Sequence, residues 1–127
     1  MMNTFSPRSE QRLVGVHTAL VQVVRRALEV SAVDFAVVEG MRTVERQREL
    51  LAAGASRTLR SRHITGHAVD LAPVIGGEIR WDWPAFTPLI EAMRRAATEL
   101  GVDVVHGADW RTFKDGPHHE LNRRTYP

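Results

Sequence analysis

The stretch Ser61-Arg62-His63-Ile64-Thr65-Gly66-His67-Ala68-Val69-Asp70-Leu71-Ala72-Pro73 places two histidines and an aspartate within eight residues, with a glycine between them. Read as a short strand, Ala68 to Ala72 alternates its side chains, so Ala68, Asp70 and Ala72 share one face. Val69 and Leu71 then point the other way, towards a core. A carboxylate flanked on its own face by two alanines has open space above it for a metal, a ligand or an ion pair. Gly66 permits a sharp bend before the strand, which would bring His63 back over Asp70. An imidazole and a carboxylate converging in this way are zinc-ligand types. Taken alone, the simpler reading is a surface turn with a solvated aspartate.

A second cluster, Trp110-Arg111-Thr112-Phe113-Lys114-Asp115-Gly116-Pro117-His118-His119-Glu120-Leu121, changes that balance. A catalytic zinc site needs three protein ligands, an open position, and a nearby carboxylate to accept a proton from water. His63, Asp70 and one of His118 or His119 complete the ligand count, with Asp115 or Glu120 as the base. Four of the six histidines lie in the two clusters, and the absence of cysteine leaves no thiolate to compete for the ion.

Taken together, Ser61, His63, Gly66, Ala68 and Asp70, then Trp110, Phe113, Asp115, Pro117, His118, Glu120 and Leu121, resemble the zinc D,D- and L,D-peptidases of bacterial cell walls. The likeness is strongest to the small phage endolysins that cut the L-alanyl–D-glutamate bond of peptidoglycan. Glu39-Gly40-Met41-Arg42-Thr43 with Gln47 is similar to a further segment of that family, so the resemblance runs from about Leu13 to Leu121. His119 departs from it, standing where an aromatic is usual. So does His106, which precedes Gly107 where a tryptophan is common.

The resemblance implies an α+β fold: a small single domain, mainly an antiparallel sheet packed against about three helices, with the zinc site at the sheet edge. It implies Zn2+ on His63, Asp70 and His118, with Asp115 as general base in preference to Glu120. It also implies Arg42 at the transition state, and Arg42, Gln47, Ser61 and Trp110 in contact with a peptidoglycan stem peptide. A D-alanyl-D-alanine carboxypeptidase on the same scaffold is the alternative. The carboxypeptidase relatives more often carry glutamate and tryptophan at the positions of Asp115 and Pro117. A non-catalytic, zinc-stabilised binding domain is the alternative of another class.

At 127 residues, with 43% apolar and 25% charged residues, one globular domain spanning 1–127 is expected. No apolar run approaches membrane-spanning length, and residues 1–10 lack the apolar segment of a signal peptide. The expectation is therefore a monomer that binds neither membrane nor nucleic acid. It would be made in the host cytoplasm and reach the wall only after release, as the resembled endolysins do. The net charge of +2, with Arg57, Arg60, Arg62 and Arg80 in mid-chain, mildly favours an anionic partner.

In chain order, residues 1–8 read as a flexible lead. Ser9 reads as the cap of one amphipathic helix whose apolar positions run from Leu13 to Leu28, ending near Val30. His17 on that helix is expected to be a packed or surface histidine. Asp34 to Val38 is β-prone and reads as a buried strand. Thr43 caps a helix to about Ala53, and Gly54 stops it. Gly76-Gly77 predicts a hairpin with a strand from Glu78 to Trp81. Pro84 opens a helix ending at Gly101, with Trp81 and Trp83 closing it over the sheet. A strand from Val102 to Val105 and a last one from Pro117 complete the chain. In that last strand His118 and Glu120 share a face, opposite His119 and Leu121.

Overall fold

The hydroxyl of Ser6 accepts the amide N–H of Ser9 at 3.2 Å and caps helix α1, Pro7–Arg12. The computed structural model describes residues 4–56, 58–112 and 114–127, so Arg57 and Phe113 lie outside the described residues. Helical structure thus begins at Pro7, inside the lead expected to be flexible, and Phe5 packs edge-on against Phe35 with ring centroids 5.7 Å apart. Ser9 is no cap. It is buried, and its hydroxyl accepts the N–H of Val37 at 3.1 Å. The single helix expected up to Val30 is in fact two. Gly15 takes a positive φ of 85°, and α2, Thr18–Val30, starts afresh with His17 as its cap, Nδ1 accepting the N–H of Ala19 at 3.1 Å.

The remaining elements follow the sequence more closely. They are β1 (Asp34–Glu39), α3 (Val44–Ala52), β2 (Ala68–Ile75), β3 (Glu78–Ile79), α4 (Trp83–Leu100), β4 (Val104–His106) and β5 (His118–Leu121). A 3-10 turn, Gly107–Asp109, leads out of β4. Thr43 caps α3 by accepting the N–H of Arg46 at 3.1 Å, and Gly101 ends α4 in the left-handed conformation. Gly76 and Gly77 both have positive φ and join β2 to β3, as a two-residue hairpin loop requires. Trp81 and Trp83 do not close α4 over the sheet; they are 59% and 51% exposed.

All pairings are antiparallel, in the order β1-β2-β5-β4, with β3 also on β2. Among the described residues four α-helices accompany this sheet, against about three expected. Val69, Leu71 and Leu121 project from its core face and pack with Leu20, Val24 and Leu28 of α2 and Leu89 and Met93 of α4. Each such side chain, fully buried, contributes about 1.5–3 kcal/mol. A one-residue slip in β2 or β5 would exchange these residues for Asp70 and His118, so the core fixes which face carries the polar groups. Asp70 and His118 are register partners across β2 and β5. These strands are central, so the expected location at a sheet edge is corrected: the polar cluster lies over mid-sheet, where β5 begins.

Candidate metal centre

Three elements bring the cluster together. His63 comes from the turn before β2, Asp70 from β2 and His118 from the first position of β5. Gly66, at φ 76°, makes the turn that returns His63 to the strand, and a side chain there would run into the backbone carbonyl of Gly15. Nε2 of His63 lies 3.2 Å from Oδ1 of Asp70, and Nδ1 of His118 lies 3.3 Å from the same oxygen. One ligand atom from each of the three residues falls within 4.8 Å of the others, so the group could hold a metal ion. The spacing fits. Two donors bound at about 2.0–2.1 Å and a tetrahedral angle stand roughly 3.3 Å apart.

The outer nitrogens of both rings are already engaged. Nδ1 of His63 donates to the carbonyl of Gly40 at 2.8 Å, and Nε2 of His118 donates to Oε1 of Glu120 at 2.9 Å. Each bond fixes the tautomer that leaves the inner nitrogen free as a ligand, the usual support of a metal-binding histidine. Glu120, weighed in the sequence as a rival base, therefore sits behind His118. Arg62 is largely buried, its Nη2 donating to the carbonyls of Leu121 at 3.2 Å and Tyr126 at 2.5 Å, and its Nε lies 3.9 Å from Glu120.

The electrostatics follow from these contacts. Burial alone would raise the Asp70 carboxyl, but hydrogen bonds from His118 and His63 and their charge hold it well below the ordinary range. Burial works against a charged His118, yet Asp70 and Glu120 on its two sides push it up to about 9. Asp115 is raised, chiefly by burial and then by the charge of Asp70. Its loop is tied to Gly107, whose carbonyl accepts the N–H groups of Asp115 at 3.0 Å and Trp110 at 3.2 Å.

Asp115, Trp110, Ser61 and Arg42 all line the cleft over the cluster. Trp110 lies against His118, with ring centroids 5.0 Å apart, and the Ser61 hydroxyl accepts the N–H of His63 at 3.2 Å. Arg42 is clamped by Glu39 through Nε and by Gln47 through Nη1 at 2.7 Å, with Nη2 3.9 Å from Asp70. Gln47, expected to touch substrate, is fully buried instead. Its side-chain amide donates to the Ser56 hydroxyl at 2.7 Å and the Thr58 carbonyl at 2.5 Å. It positions Arg42 and the following loop and does not face the cleft.

The two extra histidines form a pair behind the sheet. His106 and His119 are register partners, both buried, with their Nδ1 atoms 2.8 Å apart. Burial pushes His106 down to about 4 and holds His119 well below the ordinary histidine value, so both are neutral. Strand parity places His119 on the face opposite His118, as expected from the sequence, and His106 gives it a hydrogen-bond partner there. His67 also turns away, towards His17, with ring centroids 5.5 Å apart.

Two imidazoles and a carboxylate converging beneath an open cleft, with a carboxylic acid of raised pKa beside them, define a candidate centre of the metallohydrolase type. The family model for phage L-alanyl-D-glutamate peptidases matches residues 1–127. The L-alanyl-D-glutamate peptidase of Escherichia phage T5 is 43% identical over 126 residues, covering 96% of this chain and 91% of its own. That of Listeria phage A118 is 31% identical over 98 residues, which are 77% of this chain and 34% of that longer protein. The crystal structure of the Serratia marcescens L-Ala D-Glu endopeptidase ChiX superposes with a TM-score of 0.93 at 50% identity, covering 99% of this chain and 95% of that one. The chain belongs to the phage L-alanyl-D-glutamate peptidase family. Among the described residues, no helix is long and apolar enough to cross a membrane.

Proposed function

We propose that this chain is a zinc endopeptidase that hydrolyses the L-alanyl–D-glutamate bond of peptidoglycan stem peptides, its whole length forming one catalytic domain. The observation that carries the metal assignment is the pair of 3.2 and 3.3 Å spacings about Asp70 Oδ1, made by ring nitrogens whose opposite atoms are already bonded. The relatives' shared activity supports the choice of bond.

His63, Asp70 and His118 would hold the zinc, which supplies polarisation of the scissile carbonyl and an acidified water. Asp115 accepts a proton from the attacking water and returns it to the nitrogen of the leaving amine, so that the amide bond breaks as a neutral amine departs. Its raised pKa suits both steps, since a more basic carboxylate accepts the proton and the resulting acid still donates it. Arg42, held rigid by Glu39 and Gln47, offers Nη2 to the oxyanion that develops on the carbonyl oxygen. Trp110 and Ser61 shape the walls against the peptide. In the setting of a phage lysin, the protein would be made in the host cytoplasm and meet its substrate after release.

The test is hydrolysis of a purified stem-peptide substrate by the chelated protein before and after zinc is restored. Activity lost on chelation and regained with zinc is expected; turnover that survives complete removal of metal would contradict the assignment.

A further inference from the structure

Two arginines that line the cleft, Arg60 and Arg123, take no part in the chemistry so far. Arg60, in the loop before His63, and Arg123, just after β5, both line the cleft and are exposed. Arg60 makes no ion pair among the described residues. Arg123 is 62% exposed in its side chain, and its Nε stands 3.9 Å from Oε2 of Glu120, too far and too wet to count for much. Arg62, which lines the same cleft, is taken up by the carbonyls of Leu121 and Tyr126 and is not free to bind. Because Glu120 bonds His118 at 2.9 Å, the Arg123 guanidinium is a single carboxylate removed from the candidate metal ligands.

The proposed substrate supplies a complementary group. A glutamate whose nitrogen lies in the scissile bond uses one of its two carboxyls to continue the chain. The other remains a free carboxylate within a side chain's length of the reacting centre, unless it is amidated. Guanidinium groups bind such a carboxylate by paired N–H donors.

Resting on the peptidase reading above, we propose that Arg123 and Arg60 form the subsite for the free carboxylate of the D-glutamyl residue, and so set a preference for the acid over its amide. The leaving half of the substrate then lies on the β5 side of the cleft. Substrate binding converts the weak Arg123–Glu120 contact into a shared pair, while Glu120 stays on His118.

The experiment compares two synthetic stem peptides that differ only in a free or amidated D-glutamyl carboxylate, with the zinc-loaded protein and its Arg123→Gln, Arg60→Gln and double variants. The wild type is expected to favour the free acid by about tenfold or more in kcat/KM, the size of one charge-assisted hydrogen bond. In the double variant that ratio should collapse towards one. Calorimetric binding of the corresponding D-glutamyl leaving peptides, acid against amide, should show the same preference and the same collapse without any turnover. Zinc content is measured in parallel, since disturbance of His118 through Glu120 would lower it. A ratio unchanged in the double variant, or an equal loss on both peptides, would overturn the proposal even with hydrolysis intact. Absence of hydrolysis with the binding preference intact would instead count against the peptidase reading alone.

Discussion

Glu120 Oε1 accepts the Nε2 proton of His118 at 2.9 Å, and this bond decides which nitrogen of the ring faces Asp70. A carboxylate in that position strengthens a metal ligand and cannot also reach a water across the ring. Replacing Glu120 with Gln or Ala should therefore weaken zinc affinity by roughly 10–100-fold, the usual effect of losing such an outer partner. Competition against a chromogenic chelator measures it. Unchanged affinity with abolished turnover would return Glu120 to the role of base.

Asp115→Asn or Asp115→Ala should behave in the opposite way. Fold and zinc content are expected to persist while turnover falls by roughly a hundredfold or more. Since burial and the charge of Asp70 raise the Asp115 carboxyl, the acid limb of kcat/KM in the wild type should lie above that of an ordinary aspartate. Loss of zinc from either variant would make Asp115 a ligand.

His63→Ala and Asp70→Ala should both abolish stoichiometric zinc binding, because each leaves only two ligands. In Asp70→Ala the His118 imidazolium also loses one of the two carboxylates that hold it. Elemental analysis after reconstitution decides the matter; a full equivalent of zinc in both variants would refute the ligand set.

The pH dependence of the metal-free protein follows from His118. Its pKa is about 9 in the fold, above the roughly 6.5 of an unfolded histidine. Stability from this group is thus fully present below about pH 6.5 and lost as pH rises through about 9. The thermal midpoint of the chelated protein should fall across that window. Zinc requires the neutral ring, so uptake near neutral pH should release a proton, seen as buffer-dependent heats in calorimetry. Heats independent of the buffer would contradict the linkage.

Much of this arrangement was legible locally. The alternation of Val69, Asp70 and Leu71, the parity of His118 against His119, and the glycine turns at Gly66 and Gly76-Gly77 all depend on neighbours in sequence. What escaped depends on distant partners. Ser9 looked like a cap because nothing local reveals that its hydroxyl is taken by Val37. Gln47 looked like a substrate contact because its burial depends on a loop closing over it at Ser56 and Thr58. The mid-sheet position of the site was hidden for the same reason, since β5 inserts between β2 and β4 only through long-range pairing. Trp81 and Trp83 misled in the other direction: aromatic residues beside a helix start suggested packing, and the chain leaves them exposed.

The most direct measurement of the central claim is mass spectrometry of purified peptidoglycan digested by the zinc-loaded protein. New N-terminal D-glutamate, with L-alanine retained on the muramic acid, is the predicted result. Release of free D-alanine alone would show a carboxypeptidase instead, and intact stem peptides in the presence of bound zinc would contradict the account altogether.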